Sequence, residues 1–346
     1  MRATWREQAM VAGGRTRPGM LDVARLAGVS HQTVSRVLNE HPNVRESTRI
    51  KVVQAIEELG YRRNSAARAL VTQRSGTLGI VTTGSEHYGP SRTLAVVERA
   101  AREAGYFVAV ATAMHPTPDM VTSIFDRFLD QAVEGAVVIA PTEEIAAAAR
   151  NASADLPVLM IAATPKWEPG QHALSVDQGA GARMVAEHLI ELGHRDVVHV
   201  AGPVDWFDAR ARARGWHATL AEAGIRARAD RLGDWTAASG YAIGQELLEN
   251  LPTAVFASND HMALGLLRAF AEAGVHVPGQ VSVVGFDDVT GSDHYFPPLT
   301  TVQQDFTVLG RRALEALIDL IVGVPVNTEQ VPPTLVPRAS TGPASR

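Results

Sequence analysis

The sequence predicts a two-part protein: a small all-α head followed by a larger α/β body, two-lobed and built on parallel sheets. Three observations carry this. At 346 residues the chain is too long for one small domain and suits a large body with an extra module. Its charge is divided: residues 1–75 hold thirteen Arg/Lys against six Asp/Glu, a net +7, while the remainder holds 19 against 31, a net −12. Beyond residue 76, near-continuous apolar stretches alternate with helical ones, the pattern of parallel strands covered on both faces.

The head comes first in the chain. In MLDVARLAGVSHQTVSRVLN, Val23, Ala24, Leu26 and Ala27 mark the inner face of a short helix, which Gly28 ends. Val29 plugs the space before a second helix capped by Ser30. Val34, Val37 and Leu38 form its inner face, while Gln32, Ser35 and Arg36 point outward together. His31, Gln32 and Thr33 occupy its first turn. That outer face suits a DNA major groove: Gln pairs with adenine, Arg with guanine, and Ser or Thr with phosphate or a base edge. A third helix is expected from Glu46 to Leu59, stopped by Gly60. Ser65–Leu70 is too short to be a stable helix alone and suits a segment that orders when docked. The alternatives are a solvated polar helix face and a solvated basic tail. A basic head on an acidic body favours a polyanionic partner.

The strings DVARLAGVS, QTVSRVLN, ELGY and ARAL resemble the LacI/GalR family of bacterial repressors. In the body, GHRDVVHVAGP, DARARARGWHATL, GDWTAASGY, ASNDHMALGLLRAF, VSVVGFDD and PPLTTVQQDFTVLGRRALEAL resemble the same family, its lactose-type members above all. The resemblance implies a helix-turn-helix DNA-binding domain and a periplasmic-binding-protein-like core. It also implies a homodimer, a double-stranded operator, and a small carbohydrate effector held between the lobes. Ser30, His31, Gln32, Thr33, Ser35, Arg36, Asn39, Tyr61 and Asn64 fall at DNA-binding positions. Ala67 falls at a hinge contact and Leu70 at the minor-groove wedge. Arg45 departs from the family's usual serine cap, and Ser47 is expected to compensate.

In the body, strands are expected at residues 76–83, 106–112, 135–140, 156–161, 196–201, 253–258 and 280–286. Side chains just after such strands face a cleft. Arg212 can fork onto hydroxyls, Asn259 and Asp287 suit a polyol, and Trp235 and Phe306 can stack on a sugar ring. Asp177 and Asp208 are further candidates. The resemblance adds Gln304 and places Thr83, His87 and Pro90 on the first-lobe wall. Structural alternatives stand beside these: helix caps for Asp287 and Asn259, packing for Trp235, an Arg212–Asp208 ion pair. Ile139 and Ala162 stand where lactose-type members carry polar side chains, so the effector need not be lactose.

The chain has no cysteine, which excludes disulfides and thiolate catalysis. Its twelve histidines show no metal-ligand spacing, and no HExxH, GxSxG or Walker A string occurs. No metal, cofactor or catalytic residue is expected. A purine-responsive regulator of the same family and a sugar-binding transport protein are the alternatives. The N-terminus carries no apolar leader, and no run approaches the roughly 18 apolar residues of a membrane span. A cytoplasmic, nucleoid-associated protein is therefore expected. The expected divisions are a disordered basic tail (1–18), the head (19–63), a hinge helix and linker (64–75), the body (76–338) and a disordered tail (339–346). The closing VPPTLVPRASTGPASR holds no heptad, so a dimer rather than a tetramer is expected.

Overall fold

A computed structural model describes residues 18–38, 41–61, 74–114, 116–152, 155–163 and 172–345. The chain divides into two compact units, Met1–Ser75 and Gly76–Arg346.

In the first unit, helices α1 (Met20–Ala27), α2 (His31–Leu38) and α3 (Glu46–Leu59) enclose one core. It holds Val23, Ala24, Val34, Val37, Val52, Ala55 and Tyr61. The turn between α1 and α2 works as the sequence implies. Gly28 takes a left-handed φ of 65°, and the next amide, Val29, bonds back to the Ala24 carbonyl at 3.0 Å. Ser30 Oγ accepts from the Thr33 amide at 3.2 Å, capping α2. Two expectations fail. Leu26 is 45% exposed, because it sits half a turn round α1 from the buried Ala24. Arg45 is the N-cap of α3 and no side chain caps it, so Ser47 does not compensate.

The second unit carries two parallel sheets. The first comprises β1 (Thr77–Thr82), β2 (Phe107–Thr112), β3 (Gly135–Ile139), β4 (Val158–Ile161) and β5 (His172–Leu174) in the order β2-β1-β3-β4-β5. The second comprises β6 (Val197–Ala201), β7 (Arg231–Leu232), β8 (Ala254–Ala257) and β9 (Ser282–Val284) in the order β7-β6-β8-β9. Strands β3, β6 and β8 are buried along their whole length, which is why they read as unbroken apolar runs. In the first lobe the sheet is joined by α4 (Tyr88–Glu103), α5 (Pro118–Asp130) and α6 (Glu143–Ala152). In the second it is joined by α7 (Gln178–Glu191), α8 (Phe207–Glu222), α9 (Ala237–Leu247) and α10 (Asp260–Glu272). A ribbon of β10 (Thr301–Gln303) and β11 (Thr334–Val336) flanks the last helix, α11 (Phe306–Val322).

The chain passes between the lobes three times. Leu174 and Val176 pack in the first-lobe core and Ala182 in the second; Val302 packs in the second and Phe306 in the first; Val331 packs in the first and Leu335 against the second. Three short crossings of this kind permit the lobes to hinge about a shared cleft.

The segment after residue 338 is not the disordered tail that its Pro/Gly/Ser content suggests. Ser340 is fully buried, donates to the Val283 carbonyl at 2.6 Å and accepts from the Thr300 amide at 2.8 Å. The Gly342 carbonyl lies 3.0 Å from His194 Nε2. Composition missed this because the anchoring runs through backbone groups and one small hydroxyl. Among the described residues, no helix is long and apolar enough to cross a membrane.

Candidate functional site

In each sheet the strand order reverses beside a central strand: β1 lies between β2 and β3, and β6 between β7 and β8. Ligands of open α/β sheets bind beyond the strand ends at such points. Two cavities lie there. One, of about 460 Å³, has a mainly apolar lining that includes Ile139, Ile161, Ala162, Val176, Phe306 and Leu309, with Gln178, Asp208 and Gln304 on its polar side. The other, of about 300 Å³, is lined by His87, Pro90, Trp206, Asp208, Arg212, Trp235, Asn259 and Asp287, among others. Pro90, Trp206 and Asp208 line both, so the two form one cleft with a polar and an apolar end.

The polar end is organised around Arg212, on α8 and 3% exposed. Its Nε donates to Gln178 Oε1 at 2.9 Å, one terminal nitrogen donates to the Ser258 carbonyl, and Nη2 lies 3.4 Å from Asp287 Oδ1. Gln178 Nε2 donates to Gln304 Oε1 at 2.8 Å, and Gln304 Nε2 donates to Asp287 Oδ1 at 2.7 Å. Four buried side chains thus form a closed ring of hydrogen bonds, which fixes their rotamers before a ligand arrives. The guanidinium also rests 3.8 Å over the Phe286 ring.

Electrostatics follow from burial. Withdrawal from water pushes the Asp287 carboxyl up to about 6, against the pull of Arg212 and the Gln304 hydrogen bond. Asp208 Oδ2 lies 3.9 Å from Arg212 Nη2, the expected ion pair at a long distance. Its pKa is raised by burial, with Arg212 opposing. His87 is held below the usual imidazole value by burial, and Asp234 works in the other direction.

Aromatic rings wall the cleft. Trp206 meets His87 edge-on at 5.4 Å and Trp235 edge-on at 5.5 Å. Trp235 fits there because residue 202 is glycine; a Cβ on Gly202 would overlap the indole. Trp235 (φ 74°) and Asp287 (φ 113°) adopt backbone conformations rare for side-chain-bearing residues. Such conformations cost on the order of 1–3 kcal/mol each and persist where the surroundings over-determine them, often at ligand sites.

The residues singled out from the sequence are placed as follows. His87, Pro90, Asp208, Arg212, Trp235, Asn259, Asp287, Gln304 and Phe306 all line the cleft. Asn259 is at the same time the N-cap of α10: its Oδ1 accepts from the Met262 amide and its Nδ2 donates to the Trp235 carbonyl, both at 2.9 Å. Thr83 follows β1 but lies in neither cavity lining. Asp177 is the clear correction. It caps α7, accepting from the Ala180 amide at 2.9 Å, and its neighbour Gln178 enters the cleft instead. Trp206 and Gln178 were not foreseen. Trp206 follows β6 just as Asn259 follows β8, so the strand-end rule carried the signal.

On the head, His31, Gln32 and Arg36 are exposed along α2, and their side chains make no hydrogen bond or ion pair to the described residues. Ser35 and Thr33 are half-buried beside them, and the Ser30 and Thr33 hydroxyls pair at 2.9 Å. Tyr61 is only 9% exposed and belongs to the core, so its ring does not project with that face. Asn39, Asn64, Ala67 and Leu70 lie outside the described residues.

Comparison with known proteins places these two sites in context. Residues 19–64 match the family described as "Bacterial regulatory proteins, lacI family", and residues 186–341 match a periplasmic binding protein-like domain. The chain is 36% identical over 326 residues to the lactose operon repressor of Escherichia coli K12, covering 93% of this chain and 90% of that one. It resembles the lac repressor dimer bound to operator and an anti-inducer with a TM-score of 0.84 and 34% identity, covering 94% of this chain and 100% of that one. It resembles the transcriptional regulator CelR in complex with cellobiose with a TM-score of 0.68 and 30% identity, again over 94% and 100%.

Proposed function

This chain belongs to the lacI family of bacterial regulatory proteins, and from that premise we propose that it is a homodimeric repressor of carbohydrate-utilisation genes, released from its operator by a sugar bound between the lobes. It is a DNA-binding transcriptional regulator and not an enzyme. The observation that carries the sugar assignment is the preformed ring of Arg212, Gln178, Gln304 and Asp287 beside the Trp206–Trp235 wall. A fixed carboxylate, a guanidinium with unused N–H groups and an aromatic face together suit adjacent hydroxyls on an apolar ring. At the apolar end, polar groups such as Gln178, Asp208 and Gln304 stand on one side only. The ligand therefore sets its hydroxyl-rich edge on Arg212 and Asp287, with a substituent or bare ring face against Ile139, Ala162 and Leu309.

A panel of galactosides, glucosides, cellobiose and pentoses, read by thermal shift and operator gel shift, tests this. At least one sugar is expected to raise the melting temperature and release the operator. A sugar that strengthened operator binding would reverse the sign of regulation, and a response to purines alone would remove the sugar.

On the DNA side, each dimer presents two copies of α2 to a near-palindromic operator, with residues 64–75 between head and body. Repression would place the protein at the nucleoid. Arg36 and Gln32 read base edges, with His31 at the helix N-terminus beside the backbone. Replacing Arg36 by Ala is expected to cost about 1–3 kcal/mol at one base-pair position and relax choice there. Competition gel shifts across single-base operator variants check it. Uniform weakening across all variants would make Arg36 a phosphate contact instead.

A further inference from the structure

The second lobe brings together three side chains that the functional cleft does not use. His199 lies on β6, His217 on α8 and Asp230 immediately before β7. His199 Nδ1 is 3.2 Å from Asp230 Oδ2, and His217 Nε2 is 2.9 Å from Asp230 Oδ1. One donor atom from each residue lies within 4.8 Å of the others. We propose that His199, His217 and Asp230 form a binding site for a divalent transition metal, zinc in the first instance.

The spacing fits the ion. Ligands about 2.0–2.1 Å from tetrahedral zinc stand about 3.3 Å from one another. Asp230 Oδ2 lies 3.2 Å from His199 Nδ1 and 3.1 Å from His217 Nε2, and the two nitrogens lie within 4.8 Å of each other. The hydrogen bonding fits it too. His199 is fully buried, and its Nε2 pairs with Ser258 Oγ at 2.7 Å. That is the outer bond which orients a metal-bound imidazole and leaves its other nitrogen free to ligate. Nδ1 faces Asp230 Oδ2 at 3.2 Å. Asp230 Oδ1 is buried 2.9 Å from His217 Nε2 without a well-formed hydrogen bond. His217 Nε2 also lies 3.1 Å from Asp230 Oδ2, so the two imidazoles converge on one carboxylate oxygen, where a cation would take the place of the shared protons. The Asp230 and His217 side chains are 24% and 45% exposed, which gives the ion a way in and a water a fourth position. Two imidazoles and a carboxylate, without a thiolate, suit zinc, nickel or cobalt rather than calcium.

The site also touches the effector machinery. Ser258, the outer partner of His199, offers its carbonyl to Arg212.

The test uses untagged full-length protein freed of metal by chelation. Cobalt(II) titration is expected to give tetrahedral visible absorption that saturates at one equivalent and is displaced by zinc. Zinc calorimetry is expected to show the same stoichiometry, and zinc to raise the melting temperature. His217→Ala, at the exposed ligand, is expected to weaken zinc by at least about 100-fold, since losses even in the outer shell cost 10- to 100-fold. His294→Ala, at an exposed histidine outside the cluster, is expected to bind as the parent does. Absence of saturable one-equivalent binding, or binding that survives in His217→Ala, would overturn the proposal.

Discussion

Replacing Arg212 by Met is expected to give a repressor that still occupies its operator but no longer responds to sugar. The side chain is 3% exposed and holds Gln178, the Ser258 carbonyl and Asp287 at once. Met keeps most of the volume and none of the donors. Removing one partner of a buried pair costs about 3–5 kcal/mol, because the remaining charge is left without compensation. Here Asp287 keeps the Gln304 hydrogen bond and can take up a proton, which places the loss at the low end of that range. The ligand term is at least as large. Hydrogen bonds to a charged group contribute about 1.5–3 kcal/mol each, so losing two weakens the sugar by at least about 100-fold. Thermal melts, calorimetry with the inducing sugar and operator gel shifts read the three effects separately. Arg212→Lys keeps the charge but lacks the planar fork, and is expected to fall between parent and Met. Sugar affinity in Arg212→Met within tenfold of the parent would remove Arg212 from the binding site.

How far the sequence reached depends on what each residue is used for. The strands were legible because parallel strands buried on both faces leave an uninterrupted apolar run, as at Gly135–Ile139 and Val197–Ala201. The head was legible because Gly28 and Ser30 act within their own turn. The cleft was legible at Asn259 and Asp287 because each is a polar residue that follows a strand, whereas Arg212, inside α8, was legible from its forked donors and the family resemblance. Asp177 and Gln178 mark the limit. Both are polar neighbours after a strand, and only the direction of α7 decides that Asp177 turns to the backbone while Gln178 enters the cleft. The histidine cluster was illegible for a different reason. His199, His217 and Asp230 sit on a strand, a helix and a loop, and no local period relates them. Leu26 shows that an apolar letter at a plausible helical position need not be core.

Sugar affinity is expected to rise as pH increases through about 6, and Asp287→Asn is expected to flatten that dependence. Asp287 is 6% exposed and its carboxyl titrates at about 6 in the folded chain, against 3.8 for the free group. The first consequence is for stability. Below pH 3.8 the group is protonated in both states and folding carries no penalty from it. Between 3.8 and 6 the folded chain retains a proton that the unfolded chain has lost, so stability falls as pH rises. Above 6 the loss is complete, at about 3 kcal/mol for a shift of about two units. Asparagine stays neutral, so Asp287→Asn is expected to gain in melting temperature on the parent between pH 4 and pH 7. The second consequence is for binding. Asp287 Oδ1 is engaged by Gln304 and Arg212, while Oδ2 makes no hydrogen bond to the described residues. Ligand hydroxyls donating to Oδ2 favour the ionised form, so binding at pH 5–6 drives a proton off and weakens as the solution becomes more acidic. Calorimetry at pH 5, 6 and 7.5 in buffers of different ionisation enthalpy measures both the affinity and the proton released. Asp208 and His87 face the same cavity, and the Asn variant separates Asp287 from them. Equal pH slopes in parent and variant would assign the titration to one of those neighbours and leave the Asp287 carboxylate outside the ligand contact.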